Sequence, residues 1–229
     1  MSKAKAQELI RTAQREGRTT LSEYEAKQLL AAYDIPVTRE MLVQKREALA
    51  DAVRRIGCPL VLKGCAARIA HKTEKNLVRV DVRTEAEALT IFDELMAAMA
   101  GEADAAVLVQ EMVSGRRELV VGLTRDPQFG ACVMFGLGGI FTEILKDISF
   151  RKAPLAPRDA LEMMQEIKGR KILEAVRGMP AADTEALGRI LIQVGAIGLE
   201  LEAVAEIDLN PVILAGARPV AVDALVVLK

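Results

Sequence analysis

The stretch VAEIDLNPVILAGARPVAVDALVVLK (204–229) alternates in polarity as a strand should. Successive strand side chains point to opposite faces. Ala205, Ile207 and Leu209 therefore share one face, and Glu206, Asp208 and Asn210 share the other. The segment reads as two strands joined by a turn at Gly216–Ala217, where glycine suits a two-residue hairpin. That turn sets Asn210 opposite Asp223 and gathers Asp208, Asn210 and Asp223 on one face. Asp223 interrupts the apolar run VAVDALVVL (220–228), where burial of a lone charge is costly. Hard oxygen ligands of this kind suit Mg²⁺. A solvated polar strand face gives the same pattern, and Pro211 is placed to alter the register. Patterning alone leaves both readings open.

Upstream, RELVVGLTRDPQFGACVMFGLGG (117–139) reads as a hairpin turning at RDPQFG (125–130). Pro157 opens a helix over 158–169, and another covers 183–200 with Leu187, Ile190, Leu191, Val194 and Ile197 inward. Towards the N-terminus, Ser22 and Glu25 form a capping box before an apolar face of Ala26, Leu29, Leu30 and Tyr33. VTREMLV (37–43) is a short strand, KREALADAVRRIG (45–57) a helix stopped by Gly57, and CPLVLKG (58–64) a buried strand carrying Lys63. Thr84 and Glu87 cap a helix whose stripe is Leu89, Phe92, Leu95, Met96 and Met99, and AAVLVQEMV (105–113) follows as a strand. Helices mix with antiparallel strands, which predicts an α+β protein. We expect an N-terminal helical arm (1–20), a first lobe (21–112) and a second lobe (113–229).

Charges nearly cancel, with 31 Lys and Arg against 32 Asp and Glu, so no basic excess argues for nucleic acid or a membrane surface. Tryptophan is absent and aromatics make up 3%, which weakens base stacking. Three scattered cysteines (Cys58, Cys65, Cys132) lack metal-ligand spacing and suit a reducing compartment. No apolar run approaches the ~18 residues of a membrane span. A cytoplasmic protein is expected.

Four other features carry candidate chemistry. Lys63, just before Gly64, is a phosphate contact or a snorkelling strand-end lysine. GLGG (136–139) offers backbone N–H groups to phosphate or forms a plain turn. QEMV (110–113) could offer backbone groups to a base. His71, the only histidine, lies in the polar segment RIAHKTEKNLV (68–78). Its ordinary pKa of about 6.5 leaves it mostly neutral at pH 7, fit for a nucleophile, a base or a surface residue.

Together these motifs resemble the ATP-grasp domain of the ADP-forming acetate–CoA ligases, the NDP-forming acyl-CoA synthetase family. The resemblance rests on PLVLK (59–63), HKTEKNLV (71–78), VLVQEMV (107–113), GRRELVVGLTRDPQFG (115–130), FGLGGIFTEILKDISFRKAPL (135–155) and EIDLNPV (206–212), in order along nearly the whole chain. The closing hairpin is also similar to the Glu-x-Asn-Pro metal site of the succinyl-CoA synthetase β subunit. The resemblance implies an ATP-grasp fold, two α/β lobes clasping a nucleotide. It implies that Lys63 and Gly64 hold ATP phosphates, that Glu111, Met112 and Val113 frame adenine, and that Glu118 meets the ribose side. Gly138, Gly139, Glu143 and Arg151 would lie near the phosphates, and Asp208, Asn210 and Asp223 would hold Mg²⁺. His71 would carry a phosphoryl group between acyl phosphate and ADP. A CoA-binding domain and a second phosphohistidine domain do not fit in this chain. An α subunit would supply both, with acyl-CoA bound through it in a hetero-oligomer.

The chain departs from the family pattern near His71. Ala66-Ala67-Arg68 replaces Ser-Pro-Asp, and Asn76 and Leu77 stand where glycines are usual. Asn76 tolerates positive φ in place of glycine; Leu77 does not easily. Two other readings follow: a non-catalytic ATP-binding regulatory module of a partner protein, or a stand-alone carboxylate ligase.

Overall fold

The computed structural model describes residues 2–66, 76–139 and 147–229. Contacts divide them into two units, Met1–Val37 with Val113–Lys229, and Thr38–Met112. Each has its own apolar core. The boundary expected at 21 is corrected: residues 21–37 belong with the C-terminal half. Backbone bonds explain this. The N–H of Leu21 donates to Val226 O (3.0 Å), that of Leu228 to Thr19 O (2.7 Å), and that of Ala221 to Pro36 O (2.9 Å). Helix α1 (Lys3–Arg15) buries Ala6, Ile10 and Ala13, and α2 (Glu23–Ala31) buries Ala26, Leu29 and Leu30, all in that unit's core. Lys3 Nζ (2.8 Å) and the Tyr33 hydroxyl (3.0 Å) both donate to Glu200.

The capping box at α2 is complete: the N–H of Glu25 donates to Ser22 Oγ, and the N–H of Ser22 donates to Glu25 Oε2 (2.8 Å). Burial pushes the Glu25 carboxyl up, but bonds from Arg18 and Ser22 outweigh it and hold the carboxyl below its ordinary range. With the folded pKa below the unfolded one, this stabilisation is complete above the unfolded value and fades as pH falls through the folded one. Glu25→Gln is expected to cost about 1 kcal/mol at neutral pH. Its deficit against wild type should narrow in acid, which urea titrations at pH 7 and at about pH 3 will read.

In Thr38–Met112, strands β1 (Glu40–Val43), β2 (Leu60–Cys65), β3 (Val78–Val82) and β4 (Ala106–Glu111) form an antiparallel sheet in the order β1-β4-β2-β3. Helices α3 (Leu49–Ile56) and α4 (Glu85–Ala98) cover it. A 3₁₀ turn at Arg46–Ala48 precedes α3, so the predicted helix starts late. At α4 the box is half formed: Thr84 accepts from the Glu87 N–H, but Glu87 accepts from the N–H of Arg83 instead of Thr84.

The other unit holds β5 (Glu118–Asp126), β6 (Gly130–Leu137), β7 (Ile148–Lys152), β8 (Val204–Ala215), β9 (Arg218–Ala221) and β10 (Leu225–Leu228). The order is β10-β8-β5-β6-β7, with β9 also on β8. Helices α5 (Pro157–Glu166) and α6 (Thr184–Glu200) cover one face. Leu119, Val121, Leu123, Val133, Phe135, Ile207 and Leu209 point into that core. The second closing strand breaks into β9 and β10 at Val222–Ala224. Among the described residues no helix is long and apolar enough to cross a membrane.

Candidate nucleotide and metal site

The closing strands have the register that the Gly216 turn predicts. Ala215 pairs with Arg218 and Val212 with Ala221; Gly216 has φ +63°. Beyond the break the same register resumes, with Leu225 opposite Asp208 and Val227 opposite Glu206. The N–H of Val222 donates to Pro211 O (3.0 Å), so Asp223 falls across from Asn210. Against β5 the register shifts between Leu119–Val212 and Val121–Leu209. Asn210 and Pro211 thus form a bulge opposite Val120. Proline, lacking an N–H, is tolerated there, and bulges re-aim side chains.

Asp208 heads a row that crosses four strands on the face away from α5 and α6: Asp208, Gly122, Met134, Phe150. A cavity of about 260 Å³ opens on this face, lined by these residues together with Glu206 and Asn210. Gly122 is its floor. A Cβ there would stand 3.1 Å from Met134 Cε and 3.2 Å from Ile207 O. Sequence reasoning missed Gly122, Met134 and Phe150. The one available signal was an isolated glycine inside an apolar strand, which marks close approach.

Burial pushes the Asp208 carboxyl above its ordinary range, and the neighbouring Glu206 and Asp223 carboxylates add to the rise. A cation would relieve that repulsion. Among the described residues no three His, Cys, Asp or Glu side chains converge as a metal cage. Two carboxylates and an amide oxygen fit Mg²⁺ better than a cage would, since that ion keeps waters and phosphate oxygens in its shell.

Gly139 meets Asn210 on this side, with Gly138 and Glu118 beside it. The Gly138 N–H donates to Glu118 O (2.9 Å), and the Gly139 N–H points at Asn210 Oδ1 (3.4 Å). A Cβ on Gly138 would reach within 2.6 Å of Leu119 O, and one on Gly139 would run into the Glu118 carboxylate. Gly139 also has φ +61°. Both positions require glycine for these reasons, whatever ligand the loop meets.

In the other unit, Lys63 is 4% exposed, with its partner positions at Leu108 and Val78. It points to the face opposite Leu62, away from α3 and α4. Gly64 is packed instead of open to phosphate: a Cβ would stand 2.8 Å from Met99 Sδ and 3.2 Å from Leu77 Cβ. Glu111 ends β4, and Met112 follows it as the last residue of the unit. The Glu111 carboxylate holds Arg39 (2.8 Å), and the N–H groups of Glu111 and Met112 donate to Arg39 O and Pro59 O. Val113 begins the other unit and is half-buried.

Arg151 is corrected. It pairs across β6 with Val133, a core residue, so it faces the helices. There it bonds both carboxylate oxygens of Glu166, and Phe150 takes the face with Asp208. Arg151 thus lies on the opposite face of the sheet from Asp208. His71 and Glu143 lie outside the described residues. Two of the departures near His71, Asn76 and Leu77, do have a physical account. Asn76 adopts φ +54°, as the missing glycine would. Leu77 is 3% exposed in the core, and its carbonyl accepts from Gly64 N–H (2.8 Å).

The ATP-grasp domain model matches residues 12–228. The β subunit of acetate–CoA ligase [ADP-forming] I from Pyrococcus furiosus is 42% identical over 229 residues, covering 98% of each chain. Acetate–CoA ligase [ADP-forming] I of Archaeoglobus fulgidus is 38% identical over 93% of this chain, which spans 31% of that longer protein. The solved dinucleotide forming acetyl-coenzyme A synthetase 1 of Ca. Korarchaeum cryptofilum, in complex with coenzyme A and Mg-AMPPCP, matches with TM-score 0.86 and 41% identity. The match covers 98% of this chain and 100% of that one; there the phosphohistidine segment points towards the nucleotide binding site. With its two antiparallel-sheet units, its acidic closing strands and these full-length matches, the chain belongs to the ATP-grasp family, among the β subunits of ADP-forming acetate–CoA ligases.

Proposed function

We propose that this chain is the nucleotide-handling β subunit of a cytoplasmic ADP-forming acyl-CoA synthetase, interconverting acyl-CoA, ADP and phosphate with acid, CoA and ATP. The full-length match to the Pyrococcus β subunit carries this reading. The carboxylates grouped around Asp208, beside the Gly138–Gly139 turn, support it independently.

In the ATP-forming direction phosphate displaces CoA from the thioester on a CoA-binding α subunit to give an acyl phosphate. Its phosphoryl group passes to a neutral imidazole nitrogen of His71 as the O–P bond to the acyl group breaks and the carboxylate leaves as the acid. A β-phosphate oxygen of ADP then attacks that phosphorus, the N–P bond breaks, and ATP leaves with His71 free. Such transfers ask mainly for alignment and charge neutralisation. Lys63 would meet phosphate oxygens, and Glu111 to Val113 the base. Glu118 would hold the ribose side, and Gly138, Gly139 and Glu143 would border the phosphates. Asp208, Asn210 and Asp223 would bind Mg²⁺, which offsets phosphate charge when present.

The test is ATP formation by this chain with its CoA-binding partner, offered ADP, phosphate and a panel of acyl-CoA thioesters. Turnover that stops with His71→Ala is expected. A chain that binds ATP and yields no turnover with any thioester would favour the regulatory module.

A further inference from the structure

A second cavity, of about 470 Å³, lies at the start of β5, lined by Ser114, Arg116, Arg117, Arg177 and the Gly216 turn. Three arginines face it and no carboxylate does. Arg117 is 4% exposed and builds the wall. Its guanidinium donates to the carbonyls of Ile172 (3.1 Å), Glu174 (3.3 Å), Pro180 (2.8 Å) and Gly216 (2.7 Å). These carbonyls satisfy its donors but do not cancel its charge. Buried charge of one sign raises the attraction for a counter-ion inside a concave wall.

Arg116 and Arg177 are exposed, and among the described residues neither has a hydrogen-bond or ion-pair partner. Arg177 is also conformationally committed. Val176 and Met179 exchange backbone bonds (3.2 and 2.9 Å) around Arg177–Gly178, whose φ values are +47° and +79°. Two positive φ values in succession make a primed turn, where Asn and Gly are usual and arginine is not. A strained residue held this way is a reason to look for function. Neighbouring residues of an extended chain diverge, so Arg117 and Glu118 point to opposite sides of β5. The cavity therefore opens away from the Asp208 row.

We propose that this cavity binds a phosphate-bearing small anion, gripped by Arg116 and Arg177. Planar guanidinium forks bond phosphate oxygens in pairs. The volume suits a small metabolite. The phosphate could come from free inorganic phosphates or from a phosphate monoester, and the test has an arm for each.

Titration calorimetry of the full chain without Mg²⁺ would use inorganic pyrophosphate and, separately, glycerol 3-phosphate. The R116Q/R177Q double variant should weaken binding of at least one probe about tenfold or more. Lys63→Met should leave that binding in place. Both arginines are exposed, so unchanged melting is expected of the double variant. Equal binding by wild type and double variant would overturn the proposal, as would loss only in Lys63→Met. So would absence of binding by either probe. Suppose the double variant then also fails to assemble with the CoA-binding subunit. The cavity would then be a protein-docking surface.

Discussion

Asp208→Asn is expected to raise the melting temperature of the nucleotide-free protein and lower ATP formation by about a hundredfold or more. The two effects have one cause. Asp208 is largely buried and shares its surroundings with the Glu206 and Asp223 carboxylates, which disfavour its charge. The amide keeps the shape and removes the repulsion, so the empty fold gains. It also removes the charge that Mg²⁺ requires, so phosphate transfer loses its counter-ion. The Mg²⁺ concentration for half-maximal activity should rise in the same variant. Thermal melts with and without Mg²⁺, beside initial rates, read all three. Wild-type rates with an unchanged Mg²⁺ requirement would remove Asp208 from the metal site.

Gly139→Ala is expected to weaken nucleotide binding about tenfold or more, with the loss traced to Glu118. The left-handed backbone at φ +61° costs a non-glycine residue about 1–2 kcal/mol. The new methyl also collides with the Glu118 carboxylate and disturbs the approach of the Gly139 N–H to Asn210. Gly130 separates the two costs. It has φ +77° at the tip of the β5–β6 hairpin, and nothing lies within 4 Å of its missing Cβ. Gly130→Ala carries the backbone strain without the collision. A smaller loss of stability in Gly130→Ala, with nucleotide affinity lost only at Gly139, is the expected result. Equal affinities in the two would disconnect Glu118 from the nucleotide.

The closing strands were legible because two local signals agree. Period-two alternation set the faces of Glu206, Asp208 and Asn210, and a glycine at the turn set which residues oppose them. The break at Val222–Ala224 was not legible, yet the register is the same on both sides of it. The helix starts at Ser22, Thr84 and Pro157 were legible from side-chain chemistry that acts within four residues. The destination of residues 21–37 was not. Their link to the C-terminal half runs through backbone bonds such as Leu21 to Val226, which leave no trace in side-chain patterning.

The facing of β7, which decides where Arg151 points, was not legible for another reason. ISFRK has apolar residues at alternate positions, yet Ile148 and Phe150 are the exposed ones, and Phe150 is 47% accessible on the Asp208 face. Ser149 and Arg151 turn to the helices, where the Ser149 hydroxyl donates to Met163 O (3.0 Å) and Arg151 bonds Glu166. An apolar strand residue that lines a ligand cavity looks in sequence like one that lines the core. Gly122 has no side chain to pattern, and its isolation inside an apolar strand was its one mark. Leu77, which departs from the expected glycine, is explained by the pocket it fills beside Gly64 and Met99.

Whether His71 carries phosphate is read by one labelling experiment. The chain, with its CoA-binding partner, is incubated with [γ-³²P]ATP and Mg²⁺, in wild-type and His71→Ala forms. Acid-labile, alkali-stable label is expected on this chain in the wild type and none on it in the variant. Label equal in both forms, or none on this chain while ATP binds and the partner is present, would contradict it.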